Sequence, residues 1–155
     1  MPDVGEKAPD FNMPTDGGED VSLDSLKGTP FVLYFYPKDN TPGCTTEAIE
    51  FSEKLTEFDR LGVKIIGVSK DSLKKHANFR EKHALKVILA ADEEGEACEA
   101  FGVWVMKKNY GREYMGIERS TFLIDGEGLI RNVWRKVRVK GHVDAVLEAA
   151  TALQT

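Results

Sequence analysis

A chain of 155 residues, 41% hydrophobic and 30% charged, has the length of one ordinary domain, 1–155, and the composition of a soluble globular protein. Basic residues number 21 against 26 acidic ones, and the net charge of -5 argues against nucleic acid or an anionic membrane as the main partner. No apolar run approaches the ~20 residues of a membrane helix, the N-terminus lacks the layout of a signal peptide, and the two cysteines are too few for a secreted disulfide framework, so a cytoplasmic setting with reduced thiols is expected.

In chain order, Asp10 to Met13 and Val21 to Leu23 read as short strands joined by the turn residues Asp16, Gly17 and Gly18, an N-terminal hairpin. Phe31 to Tyr36 is a continuous β-branched and aromatic run that Pro37 cuts to strand length, and it reads as a buried central strand. Thr41-Pro42 then starts a helix, with Thr41 as N-cap and Pro42 as the first helical residue, where its missing N–H costs nothing. Cys44, Ala48, Phe51, Leu55 and Phe58 recur at helical spacing, so the thiol lies on the inward stripe of a helix expected to end near Leu61-Gly62.

Val63 to Val68 is a second buried strand, Ser69 to Ser72 offers caps for a helix to about His83, and Val87 to Ala90 is a third strand. The acidic stretch from Asp92 to Glu96 leads into a short helix holding Cys98. Trp104, Tyr110 and Tyr114 fall in a Gly-containing loop. Ser120 to Ile124 is the next strand, Asp125 to Gly128 turns the chain into Leu129 to Val137 as a hairpin, and a last helix covers roughly Gly141 to Leu153. His76, His83 and His142 show no metal-ligand spacing with either cysteine, and His76 and His83 read as surface helix positions. Arg131, Arg135, Lys136, Arg138 and Lys140 read as the solvated side of the hairpin. Strands alternating with helices, then a hairpin and a terminal helix, predict an α/β fold whose mixed central sheet is flanked by helices, compatible with a thioredoxin-like fold.

The free N–H groups and positive dipole end of a helix favour an anion, so Cys44 in the first turn is expected as a thiolate nucleophile. The competing reading is a small buried hydrophobe, the usual fate of a free cysteine. Where a thioredoxin-like protein would carry a C-x-x-C pair, this chain has Thr41-Pro42-Gly43-Cys44, so no disulfide can close within the motif. A lone activated thiol beside a hydroxyl suits attack on a small electrophile, with sulfenic acid as the first product.

The spacing of Pro37, Thr41 and Cys44 resembles the active-site signature of the peroxiredoxins, and YPKDNTPGCTTE looks like their PrxQ or bacterioferritin-comigratory-protein subfamily. The likeness runs from Val4-Gly5-Glu6-Lys7-Ala8-Pro9-Asp10-Phe11 through Phe101-Gly102-Val103-Trp104 to Arg119-Ser120-Thr121-Phe122-Leu123-Ile124-Asp125. It implies a thioredoxin-like fold with an added N-terminal hairpin, and a peroxidase that reduces hydrogen peroxide and organic hydroperoxides without metal or organic cofactor. Electrons would come from thioredoxin or another thiol reductant, in a monomer or weak dimer.

The resemblance also makes Arg119, otherwise a strand-end arginine, the charge that holds Cys44 as thiolate and donates to peroxide oxygen. Thr41 would cap the helix through its hydroxyl oxygen and offer its proton to thiolate or peroxide, Pro42 would shield the thiol, and Gly43 would let backbone approach substrate. Glu47 matches the family pattern but is equally an acidic residue favoured by the helix dipole. Ile49 stands where many subfamily members carry a resolving cysteine, and the next helix has no cysteine. Cys98 is therefore the candidate resolving thiol, within the chain after local unfolding or between chains; inert packing beside Phe101 is the alternative. Two rival classes stand beside the peroxidase: a cysteine hydrolase or transferase, and a thioredoxin-fold sensor that signals through Cys44 oxidation.

Overall fold

The computed structural model describes residues 2–153. Its centre is a five-stranded mixed sheet built around the apolar run expected to be buried, now β3 (Phe31–Phe35), every residue of which is inside. β4 (Lys64–Ser69) and β5 (Ile88–Ala91) lie parallel to it on one side. β8 (Ser120–Ile124) pairs antiparallel on the other, followed by β9 (Ile130–Trp134) at the edge. The sheet order is thus β5-β4-β3-β8-β9. Because successive strand residues point to opposite faces, β3 divides the core in two. Phe31, Leu33 and Phe35 pack with Phe11, Phe101 and Phe122 on one face, and Val32 and Tyr34 with Phe51, Phe58 and Val146 on the other.

Helices α1 (Pro42–Glu53), α2 (Leu55–Arg60), α3 (Leu73–His83) and α5 (His142–Ala152) put their buried stripes on the second face. The first face is closed by α4 (Glu96–Ala100) and by the small N-terminal hairpin of β1 (Asn12–Pro14) and β2 (Asp20–Ser22), with Met13 facing Val21 across it. The expected N-terminal hairpin is present, with strands displaced by a residue or two.

Three expectations need correction. The helix from Pro42 does not run unbroken to Gly62: Lys54, at φ -95° and ψ 3°, separates α1 from α2, and the bend brings Phe58 to 6.1 Å from Phe51. His76 is not a surface residue. It shares the inward stripe of α3 with Phe79, one turn on, and both ring nitrogens are engaged, by Asp39 Oδ2 at 2.7 Å and the Ala90 carbonyl at 2.9 Å. The stretch holding Trp104, Tyr110 and Tyr114 is not a loop but a second hairpin, β6 (Trp104–Asn109) with β7 (Arg112–Ile117). Its two-residue turn places Tyr110 at φ 51° and Gly111 at φ 76°, the left-handed pair that such a turn demands. In the basic stretch Arg131, Lys136, Arg138 and Lys140 are exposed as expected, while Arg135 is half-buried and donates to the Pro2 carbonyl at 2.8 Å.

Tyr34 sits directly across from Gly67 on β4, and its ring fills the space a side chain there would need. A Cβ on Gly67 would stand 2.6 Å from Tyr34 Cζ. Gly67→Ala is therefore expected to destabilise the fold by about 1–3 kcal/mol through overpacking. In a Tyr34→Leu background the same change should cost much less; equal costs in urea unfolding would show that Tyr34 is not the obstacle.

Candidate active site

The site begins where β3 stops. Tyr36 still donates its N–H to the Val68 carbonyl at 3.0 Å, and Pro37 then ends the pairing. The loop that follows is anchored from within the core. Asp39 accepts from the Tyr36 hydroxyl at 2.6 Å, pairs with His76, and donates its own N–H to Asp71 Oδ2 at 2.8 Å, an oxygen that also accepts from the Ser69 hydroxyl. Asn40 takes a left-handed φ of 63°, which an asparagine tolerates, and delivers the chain to Thr41.

Thr41 is the N-cap of α1, with extended backbone and Pro42 next, and its carbonyl accepts from the Thr45 N–H at 2.9 Å. Its hydroxyl, however, does not cap the helix. It donates to the Lys38 carbonyl at 2.9 Å, so the proton expected for thiolate or peroxide is spent on the loop and the oxygen's lone pairs remain to accept. Pro42 contributes no N–H, and the first-turn amides of Gly43 and Cys44 have no intrahelical acceptor. Pro42 is exposed at the tip of the helix and Pro37 is half-buried.

Cys44 is 1% exposed, on the inward stripe as its spacing predicted. Arg119, in the short link between β7 and β8, reaches it from the start of the strand beside β3: Nη2 donates to Cys44 Sγ at 3.3 Å and Nη1 to Glu47 Oε1 at 2.6 Å. Glycine at 43 leaves the guanidinium uncrowded, since a Cβ there would lie 3.1 Å from Arg119 Nη2. Backbone closure of the same corner comes from the Val137 N–H, which donates to the Arg119 carbonyl at 3.0 Å.

Glu47, left open by its sequence position, lies one helical turn below the thiol and is fully buried. Burial pushes its carboxyl up to about 7 against the opposing pull of Arg119. Among the described residues its Oε2 has no hydrogen-bond partner; His142 Nε2 stands 3.9 Å away, already bonded to Thr121 Oγ1 at 2.8 Å. Burial, reinforced by the Arg119 charge, pulls His142 down to about 4. Asp39, His76, Thr121 and His142 were not singled out from the sequence as parts of the site. No periodicity marks them, because each reaches it through tertiary packing.

The structure does not bring Cys98 to Cys44. Cys98 lies in α4, on the face of the sheet with Phe35 and Phe101, whereas Cys44 lies on the face with Tyr34 and Phe51. Its N–H donates to Asp92 Oδ2 at 2.8 Å, and burial, then the Asp92 carboxylate, hold its thiol far above the usual range.

The AhpC/TSA family profile matches residues 4–133 of this chain. Peroxiredoxin Bcp of Bacillus subtilis is 56% identical over 153 residues, 99% of this chain and 94% of that protein. Peroxiredoxin Bcp of Escherichia coli is 41% identical over 144 residues, 93% and 92% of the two chains. Among solved structures, the bacterioferritin comigratory protein of Xanthomonas campestris, studied for its alkyl peroxide reduction activity, aligns with a TM-score of 0.89 at 46% identity, covering 94% of this chain and 92% of that one. A PrxQ mutant from Xylella fastidiosa aligns with a TM-score of 0.94 at 36% identity, covering 100% and 99%.

Glu47 and His142 pull stability in opposite directions with pH. The Glu47 carboxyl rises from 4.5 unfolded to about 7 folded, so the folded chain holds the extra proton in that window and stability falls as pH rises through it. The His142 ring falls from 6.5 to about 4, so the unfolded chain holds the extra proton and stability falls as pH drops through that window. Glu47→Gln should therefore leave a stability that rises with pH across the shared range, and His142→Asn one that falls. Urea midpoints measured across the range decide; a Glu47→Gln profile that follows the wild type would contradict the assignment.

Proposed function

As a member of the AhpC/TSA family, with peroxiredoxin Bcp and PrxQ relatives along its length, this chain is a thiol-dependent peroxidase, and we propose that Cys44 is its reacting sulfur. The observation that carries the assignment is the Arg119 guanidinium, placed 3.3 Å from Cys44 Sγ while its other edge is fixed on a buried carboxylate. Substrates on this reading are hydrogen peroxide and organic hydroperoxides.

The sulfur, as thiolate, attacks the nearer peroxide oxygen in line with the O–O bond. The S–O bond forms as the O–O bond breaks, and the electron pair leaves on the distal oxygen, which takes a proton to become water or an alcohol. Two sets of donors meet the charge that moves, Arg119 and the open amides of the first helical turn, while the Thr41 oxygen accepts from the peroxide O–H and orients it. Gly43 keeps the approach clear, and Pro37 and Pro42 bound the loop and helix tip that form the pocket. The product on the protein is the Cys44 sulfenic acid.

The position of the second thiol supports recycling of the one-cysteine kind. With Cys98 on the other face of the sheet and strongly protonated, an external thiol attacks the sulfenic acid at Cys44 itself, releasing water. A second thiol of the reductant then restores Cys44. Thioredoxin or another thiol reductant supplies those electrons. A protein that only signals through Cys44 oxidation would share the first step and lack the turnover.

Arg119→Met should slow single-turnover oxidation of Cys44 by about 10²-fold, read by stopped flow, because the donor to sulfur and peroxide is lost; a rate near that of the wild type would remove Arg119 from the mechanism. Cys98→Ser should keep both the first oxidation and thioredoxin-coupled turnover. Loss of turnover with the first step intact would instead make Cys98 the resolving thiol.

A further inference from the structure

Between Arg131 and Lys140 the chain carries five cations and no acidic residue. The fold takes up two of them. Arg131 pairs with Asp125 at 3.2 Å, and Arg135 donates to the Pro2 carbonyl and lies 5.5 Å over the Phe122 ring. Among the described residues Lys136, Arg138 and Lys140 have no ion-pair partner, and all three are exposed. They alternate with Val137 and Val139, which are half-buried and hold the segment against the reacting corner. The Val137 N–H donates to the Arg119 carbonyl at 3.0 Å, and the Val139 carbonyl accepts from the His142 N–H at 3.0 Å. A Cβ on Gly43 would stand 4.0 Å from Val139 Cγ2 and 3.1 Å from Arg119 Nη2, so Val139 borders the start of α1. A groove of about 500 Å³ joins the three cations with Trp134, His142 and Ala145, and no carboxylate lines it.

The side from which the sulfur can be reached gives this rim a purpose. Cys44 is buried and the Glu47 side chain is fully inside, while the Arg119 side chain is 16% exposed. Pro42 is exposed and Gly43 half-buried, so the solvent side of the sulfur is the corner of Pro42, Gly43 and Arg119, bordered by Val139. A protein that delivers a thiol to Cys44 docks over that corner and meets Lys136, Arg138 and Lys140 at its edge. The chain as a whole carries -5, which repels an anionic partner at long range. Charges further apart than the Debye length of ~8 Å at physiological salt are largely screened, so at contact distance the local cations prevail. We propose that Lys136, Arg138 and Lys140 form a docking rim for the reductant of oxidised Cys44, a dithiol protein with an acidic surface around its reactive thiol. The proposal rests on the reading of Cys44 as a peroxidatic thiol recycled from outside the chain. The partner's thiolate attacks the Cys44 sulfenic sulfur; the S–S bond forms as hydroxide leaves and takes a proton to become water. The partner's second thiol then displaces the Cys44 sulfur, so that the partner ends as a disulfide and Cys44 is reduced.

The test compares two reductants in steady-state turnover with saturating hydrogen peroxide: a thioredoxin of net negative charge, and dithiothreitol, a dithiol without charge for the rim to recognise. Lys136→Gln, Arg138→Gln and Lys140→Gln combined should lower the ratio of thioredoxin-driven to dithiothreitol-driven kcat/KM about three- to tenfold at low salt, with the deficit shrinking as salt is raised. The charge-keeping exchange of Lys136→Arg, Arg138→Lys and Lys140→Arg should hold the wild-type ratio. An unchanged ratio in the glutamine variant, a deficit that ignores salt, or equal losses with both reductants would each overturn the proposal. A wild type that sediments as a dimer, with a glutamine variant that sediments as a monomer, would give the rim to a second copy of the chain and overturn it too. Single-turnover oxidation of Cys44 keeps the two readings apart. A wild type no faster than a free thiol removes the peroxidatic reading itself, whereas a fast wild type recycled by dithiothreitol and not by thioredoxin removes only the acidic partner.

Discussion

The site depends on one guanidinium shared between a sulfur and a buried carboxylate. Arg119 can hold Cys44 at 3.3 Å because Glu47, one turn further along α1, fixes its other edge at 2.6 Å. A planar fork with five donors suits this task, whereas a lysine would offer one point charge and no second anchor. The arrangement bears on its neighbours: a side chain at position 43 would crowd the guanidinium, and Thr41 is extended where α1 starts with its open amides. The loop before it is held by Asp39, itself fixed by Tyr36 and His76. Burying Glu47 carries an electrostatic cost: its carboxyl is pushed up to about 7, and one oxygen has no hydrogen-bond partner among the described residues.

The two-faced sheet sorts the two thiols. Alternation along β3 sends Tyr34 towards α1 and Phe35 towards α4, and the helices that lie on those faces carry Cys44 and Cys98 respectively. The sulfur on the α1 face meets a cation, and the sulfur on the α4 face meets the Asp92 carboxylate. One environment favours the anion and the other opposes it. On the proposed reading the same residue type serves as nucleophile in one place and as apolar filling in the other.

Much of this was legible in the sequence where the physics is local. The β3 run, the Pro37 break, the Thr41-Pro42 start and the inward placement of Cys44 follow from strand length, helix capping and helical spacing, and all stand in the structure. What was not legible depends on distant partners. The hydroxyl of Thr41 turns to Lys38 instead of the helix amides, because the preceding loop offers a carbonyl that capping rules ignore. His76 reads as polar surface on a helix with few apolar residues, yet Asp39 and the Ala90 carbonyl satisfy both its nitrogens inside. The β6–β7 hairpin escaped because its strands are mostly solvent-facing and lack a buried alternation, leaving only Tyr110-Gly111 as a turn signal. Glu47 and Arg119 lie far apart in the chain, and no periodicity links them.

The account stands on which sulfur reacts and on what becomes of it. Treating the reduced protein with one equivalent of hydrogen peroxide in the presence of a sulfenic acid trap, then mapping the adduct by peptide mass spectrometry, tests this directly. The account predicts the trap on Cys44, with Cys98 unmodified and no disulfide between the two. A trap on Cys98, or a Cys44–Cys98 disulfide that forms ahead of trapping, would contradict it.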